Sequence, residues 1–134
     1  METAIENEVT TANGSAAEDF LPLQRIDHLE FYVGNAQQSA FFYQYALGFK
    51  LVGYRGLETG DKEVTSYFLE QDKIKFVLSS ALNPDHEISE HVKLHGDGVR
   101  DIAFEVDDAT SAFEETAKRG AVPHLAPVKI EDEN

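Results

Sequence analysis

Apolar and polar side chains alternate along two stretches of the chain, and these stretches repeat one another. Residues 26–36 read IDHLEFYVGNA, and residues 99–109 read VRDIAFEVDDA. In each copy the alternation predicts a half-buried strand, and a residue able to cap a helix follows it. A helical stretch comes next and is followed by a glycine, Gly48 or Gly120. The offset of 99 − 26 = 73 residues predicts a chain built from two copies of one supersecondary module.

The first module is predicted to contain a strand, a helix and three further strands. On its first strand the alternation places Asp27 with Leu29, Phe31 and Val33 on one face, and His28 with Ile26, Glu30 and Tyr32 on the other. Asn35 is the predicted cap of the helix, and Gly48 is its predicted end. The remaining strands are predicted over residues 49–54, 63–69 and 73–79, with a turn at Gln71-Asp72.

The second module is predicted to be shorter than the first. Asn83-Pro84 is typical of a helix start, so a polar helix is expected from there to about Leu94, between the modules. The repeat then predicts a strand from Val99, a helix capped by Asp107 or Asp108, and one more extended strand between Ala121 and Ile130. The expected fold class is α+β, with paired βαβββ modules of which the second is truncated.

Length and composition limit the classes of function. We expect a disordered acidic leader over residues 1–22, and one domain over 23–134 with its first module at about 25–80 and its second from about 98. A net charge of −14 argues against nucleic-acid binding. No stretch is apolar enough to cross a membrane, and the start lacks signal-peptide features, so a cytoplasmic location is expected. With no cysteine, a metal site would need His, Asp or Glu.

His28 and Asp101 occupy matching positions in the two copies of the repeat. Imidazole and carboxylate ligands suit zinc or ferrous iron, and Glu30 or Glu105 could supply a third ligand from the same face. The alternative is a hydrogen-bonded histidine and aspartate within a polar cavity. The residues alone leave both interpretations open, with the hydrogen-bonded one favoured.

Other chemistry-bearing residues have structural interpretations that we favour. His91 and His95 are four residues apart, as in helical metal sites, but they lie on a polar helix whose exposure to solvent is the simpler explanation. The glycine-containing loop at residues 53–60 joins two strands, so a turn is favoured over a phosphate site. Ser79-Ser80 is expected to cap or turn the backbone. Surface ion pairing is expected for Arg25, Arg55 and Arg100.

Several segments resemble one enzyme family. The repeated βαβββ pattern with its Ile-Asp-His opening is similar to the vicinal-oxygen-chelate superfamily of glyoxalases and ring-cleaving dioxygenases. Three longer segments, residues 54–60, 76–84 and 95–106, are similar to the amino-terminal half of the 4-hydroxyphenylpyruvate dioxygenase family. Residues 31–36, and Phe42-Tyr43 before Leu47-Gly48-Phe49, fit the same family. The resemblance extends from about Leu23 to the end of the chain.

This resemblance implies an Fe(II)-dependent oxidoreductase of tyrosine catabolism. Such an enzyme converts 4-hydroxyphenylpyruvate, a 2-oxo acid, and dioxygen to homogentisate and carbon dioxide. The family's iron ligands, two His and one Glu, lie in the carboxy-terminal half, so no catalytic or metal-binding residue is assigned here, and substrate-binding residues are unknown. Asp101 then stands where an active copy would carry a histidine, and His28 is a relic. The chain is expected to be an inactive fragment.

Two other functions remain open on the sequence. One is a stand-alone, non-catalytic module of the same superfamily that binds a small molecule in the cup between its modules. The other is a metalloenzyme of the glyoxalase type, in which two chains pair so that His28 and glutamates from both meet. The oligomeric state cannot be read from the sequence, so a monomer and an oligomer are both open.

Overall fold

The computed structural model of the chain describes residues 18–129. Most of the predicted leader, residues 1–17, therefore lies outside the described residues. The chain divides into two compact units. One unit is Leu23–Asp108, and the other combines the residues up to Pro22 with those from Ala109 onward. None of the helices among residues 18–129 combines the length and the apolar character that a membrane span requires.

A five-stranded sheet forms the centre of the Leu23–Asp108 unit. Its strands are β1 (Leu23–Tyr32), β2 (Lys50–Arg55), β3 (Val64–Gln71), β4 (Ile74–Ala81) and β5 (Gly98–Val106). Their order is β2-β3-β4-β1-β5. β1 runs parallel to β4 and antiparallel to β5, whereas β2, β3 and β4 form antiparallel pairs. The β-α-β-β-β order predicted for the first module is confirmed.

Three helices accompany these strands: α1 (Ala36–Leu47), α2 (Glu87–His95) and α3 (Ala109–Lys118). Both predicted ends of α1 are confirmed. The Asn35 side chain accepts a hydrogen bond from the Gln38 N–H at 2.9 Å. Gly48 adopts a left-handed conformation with φ 78° that other residues avoid, and its N–H donates to the Gln44 carbonyl.

Two apolar clusters hold the sheet and its helices together. The first lies between α1 and one face of the sheet, and it contains Val33, Ala36, Ala40, Phe49, Leu69 and Leu78. The second lies where α2 packs on the strands, and it contains Tyr32, Val64 and Ile88. We call the face of the sheet opposite α1 the second face. α2 packs on one end of this face. The polar residues Ser66, Ser79 and Glu30 lie elsewhere on it.

The start of α2 differs from the prediction. The helix begins at Glu87, three residues after the predicted start at Pro84. The Asn83 side chain accepts instead from the Asp85 N–H at 3.0 Å, which closes a turn before the helix. His86 Nδ1 then accepts from the Ile88 N–H at 3.2 Å and caps the first turn. The predicted end of the helix, before Gly96, is confirmed.

The predicted final strand is wrong as far as the structure describes it. Residues 121–129 contain only irregular backbone and a bend. Pro123 and Pro127 have no N–H to donate to a neighbouring strand, so the segment is poorly suited to a sheet ladder.

In the unit that contains α3, the helix ends near Gly120, whose φ is 98°. The Arg119 guanidinium stacks 3.6 Å above the centre of the Phe20 ring.

Candidate functional site

A chain of hydrogen bonds crosses three neighbouring strands on the second face. The Ser79 hydroxyl of β4 donates to Glu30 Oε1 of β1 at 2.9 Å. The Ser66 hydroxyl of β3 lies 2.8 Å from the Ser79 hydroxyl. Both serine residues are buried, each about 1% exposed, while Glu30 is half-buried. The polar network therefore satisfies hydroxyl groups that the sheet has removed from water.

His28 lies two residues before Glu30 on β1, and its ring bonds to the adjacent residue, Asp27. His28 Nδ1 is 2.8 Å from Asp27 Oδ2. This hydrogen bond is the main cause of the lowered pKa of Asp27. The predicted alternation placed Asp27 on the face opposite His28. The pairing of β1 with β5 is irregular between Ile26 and His28, and this bulge brings the two side chains together.

Lys75 is the second partner of Asp27. Its Nζ lies 3.9 Å from Asp27 Oδ1, and both side chains are about 40% exposed. An ion pair of this length and exposure adds little stability. It does place an ammonium group, a carboxylate and an imidazole side by side on the second face. The three groups can therefore offer both donors and acceptors to a small molecule.

A cavity of about 230 Å³ opens beside these charged groups. Its lining includes Asp27, His28, Val52, Phe68, Lys75 and Val77. The lining of the cavity thus combines apolar side chains with ionisable groups. Such mixed linings are typical of small-molecule sites, although this volume is below the usual range of about 300 to 1,000 Å³.

Asp101 and Glu105 have different partners. In the register of β1 and β5, Asp101 lies opposite Glu30, whereas His28 lies opposite Ala103. Glu105 forms an ion pair with Arg25, as expected for a surface arginine. Within residues 18–129, no group of three or more His, Cys, Asp or Glu side chains is placed to hold one metal ion. The four side chains considered as ligands in the sequence analysis are therefore not gathered at one point.

Among the remaining candidates, the loop after β2, Ser80 and Arg55 have the structural roles that we favoured. Ser79 does not cap or turn the backbone, because it lies within β4 and bonds Ser66 and Glu30. The loop after β2 forms a single 3₁₀ turn, Leu57–Thr59, between strands. The Ser80 hydroxyl accepts from the Ala36 N–H at 3.2 Å and so holds the first turn of α1. Arg55 pairs with Asp61 at 3.1 Å. Arg100 differs from the expected surface pairing, because its guanidinium lies 5.9 Å from the centre of the Tyr32 ring.

Sequence reasoning missed Ser66 and Lys75. The available signal for Ser66 was its place on an alternating strand, where it shares a face with Val64 and Phe68. A small polar residue at an inward position needs a partner, but the sequence does not show which one. Lys75 carried no comparable signal, because its link to Asp27 depends on the bulge in β1.

The sequence profile of the Glyoxalase/Bleomycin resistance protein/Dioxygenase superfamily matches residues 25–133. The chain belongs to this superfamily. The match includes β2 to β5, β1 from Arg25 onward, and the residues that line the cavity on the second face. The glyoxalase/dioxygenase superfamily is the one that the βαβββ pattern predicted, so the predicted fold class is confirmed.

Within the superfamily, the chain is similar to 4-hydroxyphenylpyruvate dioxygenases. It is 52% identical to the one from Sus scrofa over 93 residues, which are 69% of this chain and 24% of that protein. It is 41% identical to the one from Caenorhabditis briggsae over 127 residues, which are 94% of this chain and 32% of that protein. The predicted resemblance is confirmed. The chain spans about a quarter to a third of the length of these relatives.

A solved structure of a 4-hydroxymandelate synthase mutant from Streptomyces coelicolor has a similar fold. The TM-score is 0.76 and the sequence identity is 32%. The alignment covers 79% of this chain and 32% of that one. The structural similarity is therefore also to one part of a longer protein.

Proposed function

We propose that this chain is the amino-terminal vicinal-oxygen-chelate domain of a 4-hydroxyphenylpyruvate dioxygenase. The complete enzyme converts 4-hydroxyphenylpyruvate and dioxygen to homogentisate and carbon dioxide in tyrosine catabolism. The observation that carries the proposal is the identity of 41–52% to such enzymes across 69–94% of the chain. The chain alone is inactive on this proposal, because it spans at most about a third of those relatives.

The donor set of the described residues supports the division of roles between domains. Fe(II) in such an enzyme needs two imidazoles and a carboxylate that leave positions open for substrate and oxygen. On the second face, His28 is bound to Asp27, and Glu30 accepts from Ser79. Among residues 18–129 no three such ligands lie together, which agrees with the proposal that the iron site lies elsewhere. We therefore assign the iron site to the part of the relatives that this chain does not span.

A chimera tests whether the chain is this domain. The segment of the Sus scrofa enzyme that corresponds to the Leu23–Asp108 unit is replaced by residues 23–108 of this chain, and homogentisate formation and bound iron are measured. We expect an active, iron-loaded chimera, because the sheet, both apolar clusters and the second face are supplied intact. A control chimera carries Leu78→Asp, which puts a charge into the core and should abolish folding and activity.

The chain by itself tests the second half of the proposal. The purified protein is supplied with Fe(II), ascorbate, dioxygen and 4-hydroxyphenylpyruvate, and both oxygen uptake and homogentisate are followed. We expect neither. A folded chimera without activity contradicts the assignment of the domain, and turnover by the chain alone contradicts the assignment of iron elsewhere.

One observation favours a second candidate function, a non-catalytic small-molecule-binding module. The lining of the cavity of about 230 Å³ includes Asp27, His28 and Lys75 together with apolar side chains such as Phe68. A screen of small polar aromatic compounds by nuclear magnetic resonance would show perturbations at these residues if the cavity binds ligands. Binding that is lost in Phe68→Ala, together with an inactive chimera, would favour this function.

A further inference from the structure

We propose that His91 and His95 form a surface site for a borderline divalent cation such as Zn²⁺, Ni²⁺ or Cu²⁺. The two residues lie one helical turn apart on α2, so their side chains extend from the same face of the helix. Neutral imidazole is a favoured ligand for all three cations. Water would complete the coordination of the ion. This site is separate from the cavity beside His28 and does not depend on the proposed enzyme.

The spacing of the two rings matches the geometry of a shared metal ion. Their centres lie 4.9 Å apart, with the ring planes tilted by 52°. Two imidazoles that bind one ion at about 2.0 to 2.1 Å, at angles of about 90° to 110°, have centres roughly 4.5 to 5.2 Å apart. The separation of the ring centres is therefore within the range that chelation of one ion requires.

The surroundings hold one ring in place and leave both available. The ring of the buried Tyr32 meets His91 edge-on, with centres 5.4 Å apart. The Tyr32 hydroxyl donates to Glu87 at 3.4 Å, which fixes it against the same helix. Within the described part of the chain, the rings of His91 and His95 make ring contacts but no hydrogen bond or ion pair. Their nitrogen lone pairs are therefore free for a ligand.

Charge on the protein favours cation binding. The chain has a net charge of −14, which raises the local concentration of cations around it. Glu87 lies one turn before His91 on the same helix. The Lys93 ammonium lies 3.8 Å from Glu90, so it is paired within the helix. Arg100, whose guanidinium lies 5.9 Å from the centre of the Tyr32 ring, is a positive group that opposes binding.

The test is calorimetric titration of the full chain with Zn²⁺, and separately with Ni²⁺, at pH 7.5. We expect one ion per chain and at least about tenfold weaker binding in His95→Gln, because one of two imidazole ligands is lost. His95 is exposed, so this variant should fold normally. The matched controls are His124→Gln, in the other unit, and Lys93→Gln, on the same helix. Both should bind as the unaltered chain does.

A second readout locates the ion. Titration with Ni²⁺ should broaden the imidazole resonances of His91 and His95 before those of His28, His86 or His124. Absence of binding up to millimolar metal, or equal affinity in His95→Gln, would overturn the proposal. An ion held elsewhere, for example by acidic residues near the amino terminus, would bind with equal affinity in His95→Gln.

Discussion

At Gly56 there is no room for a side chain unless the neighbouring Tyr54 ring moves. A Cβ at this position would lie 2.1 Å from the Tyr54 hydroxyl oxygen and 2.6 Å from Cζ of the same ring. That hydroxyl donates a 2.5 Å hydrogen bond to Glu58. The hydrogen bond is the first cause of the raised pKa of Tyr54, which is about 12. The position of the Tyr54 ring therefore depends on the absence of a Cβ at Gly56.

We predict that Gly56→Ala displaces the Tyr54 ring and breaks its hydrogen bond to Glu58. The pKa of Tyr54 should then fall from about 12 toward its ordinary value of 10, measured by nuclear magnetic resonance titration of the ring. Gly98→Ala is the control, since a Cβ there meets nothing within 4 Å. An unchanged Tyr54 titration in Gly56→Ala would show that the loop backbone moves instead.

Asp61 fixes the start of β3 through one carboxylate. Its Oδ1 accepts from the N–H groups of Glu63 and Val64, each at 3.0 Å, and its Oδ2 lies 3.1 Å from Arg55 Nε. The two backbone hydrogen bonds are the main causes of its lowered pKa, and Arg55 adds to the effect. The ionised form is therefore the one that the folded chain favours.

We predict that Asp61→Asn lowers the free energy of unfolding at neutral pH and that the loss disappears in acid. The folded-state pKa lies below the unfolded value of 3.8, so the carboxylate's contribution is complete above that value. It is lost as the pH falls through the lower folded-state pKa. Urea unfolding of both proteins from pH 7 to pH 2.5 measures the difference. A difference that stays constant with pH would mean that ionisation is irrelevant.

At the scale of elements, the Ser66–Ser79–Glu30 network ties β3, β4 and β1 together. We predict that Ser79→Ala destabilises the chain by about 1 to 3 kcal/mol, because it leaves the buried Ser66 hydroxyl and part of the Glu30 carboxylate without a partner. Ser66→Ala should cost less, since Ser79 still donates to Glu30. Urea unfolding at pH 7 gives the free energies.

The double variant Ser66→Ala/Ser79→Ala provides the check on this network. Removing both hydroxyls leaves fewer buried groups without partners, so its cost should be smaller than the sum of the single costs. Additive costs would mean that the two serines act independently, despite the 2.8 Å between their hydroxyl oxygens.

Elements were predictable from sequence where their signals are local. α1 has a capping asparagine and a glycine end within its own sequence, and both were predicted correctly. The start of α2 was wrong because Asn83 could serve either a helix cap or a turn, and it serves a turn. The final strand was wrong because a strand needs a partner, which the hydrophobic pattern of residues 121–130 does not reveal.

The candidate site was predictable only in part for the same reason. Alternation placed His28 and Glu30 on one face, which the structure confirms. The partnership of Asp27 with His28 depends on a bulge between β1 and β5, whose residues are more than 70 positions apart in sequence. The Ser66–Ser79 contact depends on the register of β3 against β4. Registers and bulges arise from pairing, so a single sequence leaves them open.

At the scale of the whole molecule, β1 is an interior strand of the sheet in the Leu23–Asp108 unit, next to the edge strand β5. It pairs with β4 on one side and along most of its length with β5 on the other. Both apolar clusters lie entirely within this unit. No residue of α3 belongs to either cluster. The unit therefore holds a complete set of sheet partners for β1 and a core of its own.

We predict that residues 23–108 fold without the rest of the chain. Their urea unfolding should be cooperative, with dispersed amide resonances, because every buried member of the two clusters is retained. A shorter chain of residues 23–97 is the comparison. It lacks β5, so one edge of β1 loses its hydrogen-bond partners, and cooperative unfolding should be lost. Non-cooperative unfolding of residues 23–108, beside a cooperative full chain, would mean that residues 109–134 contribute to the core.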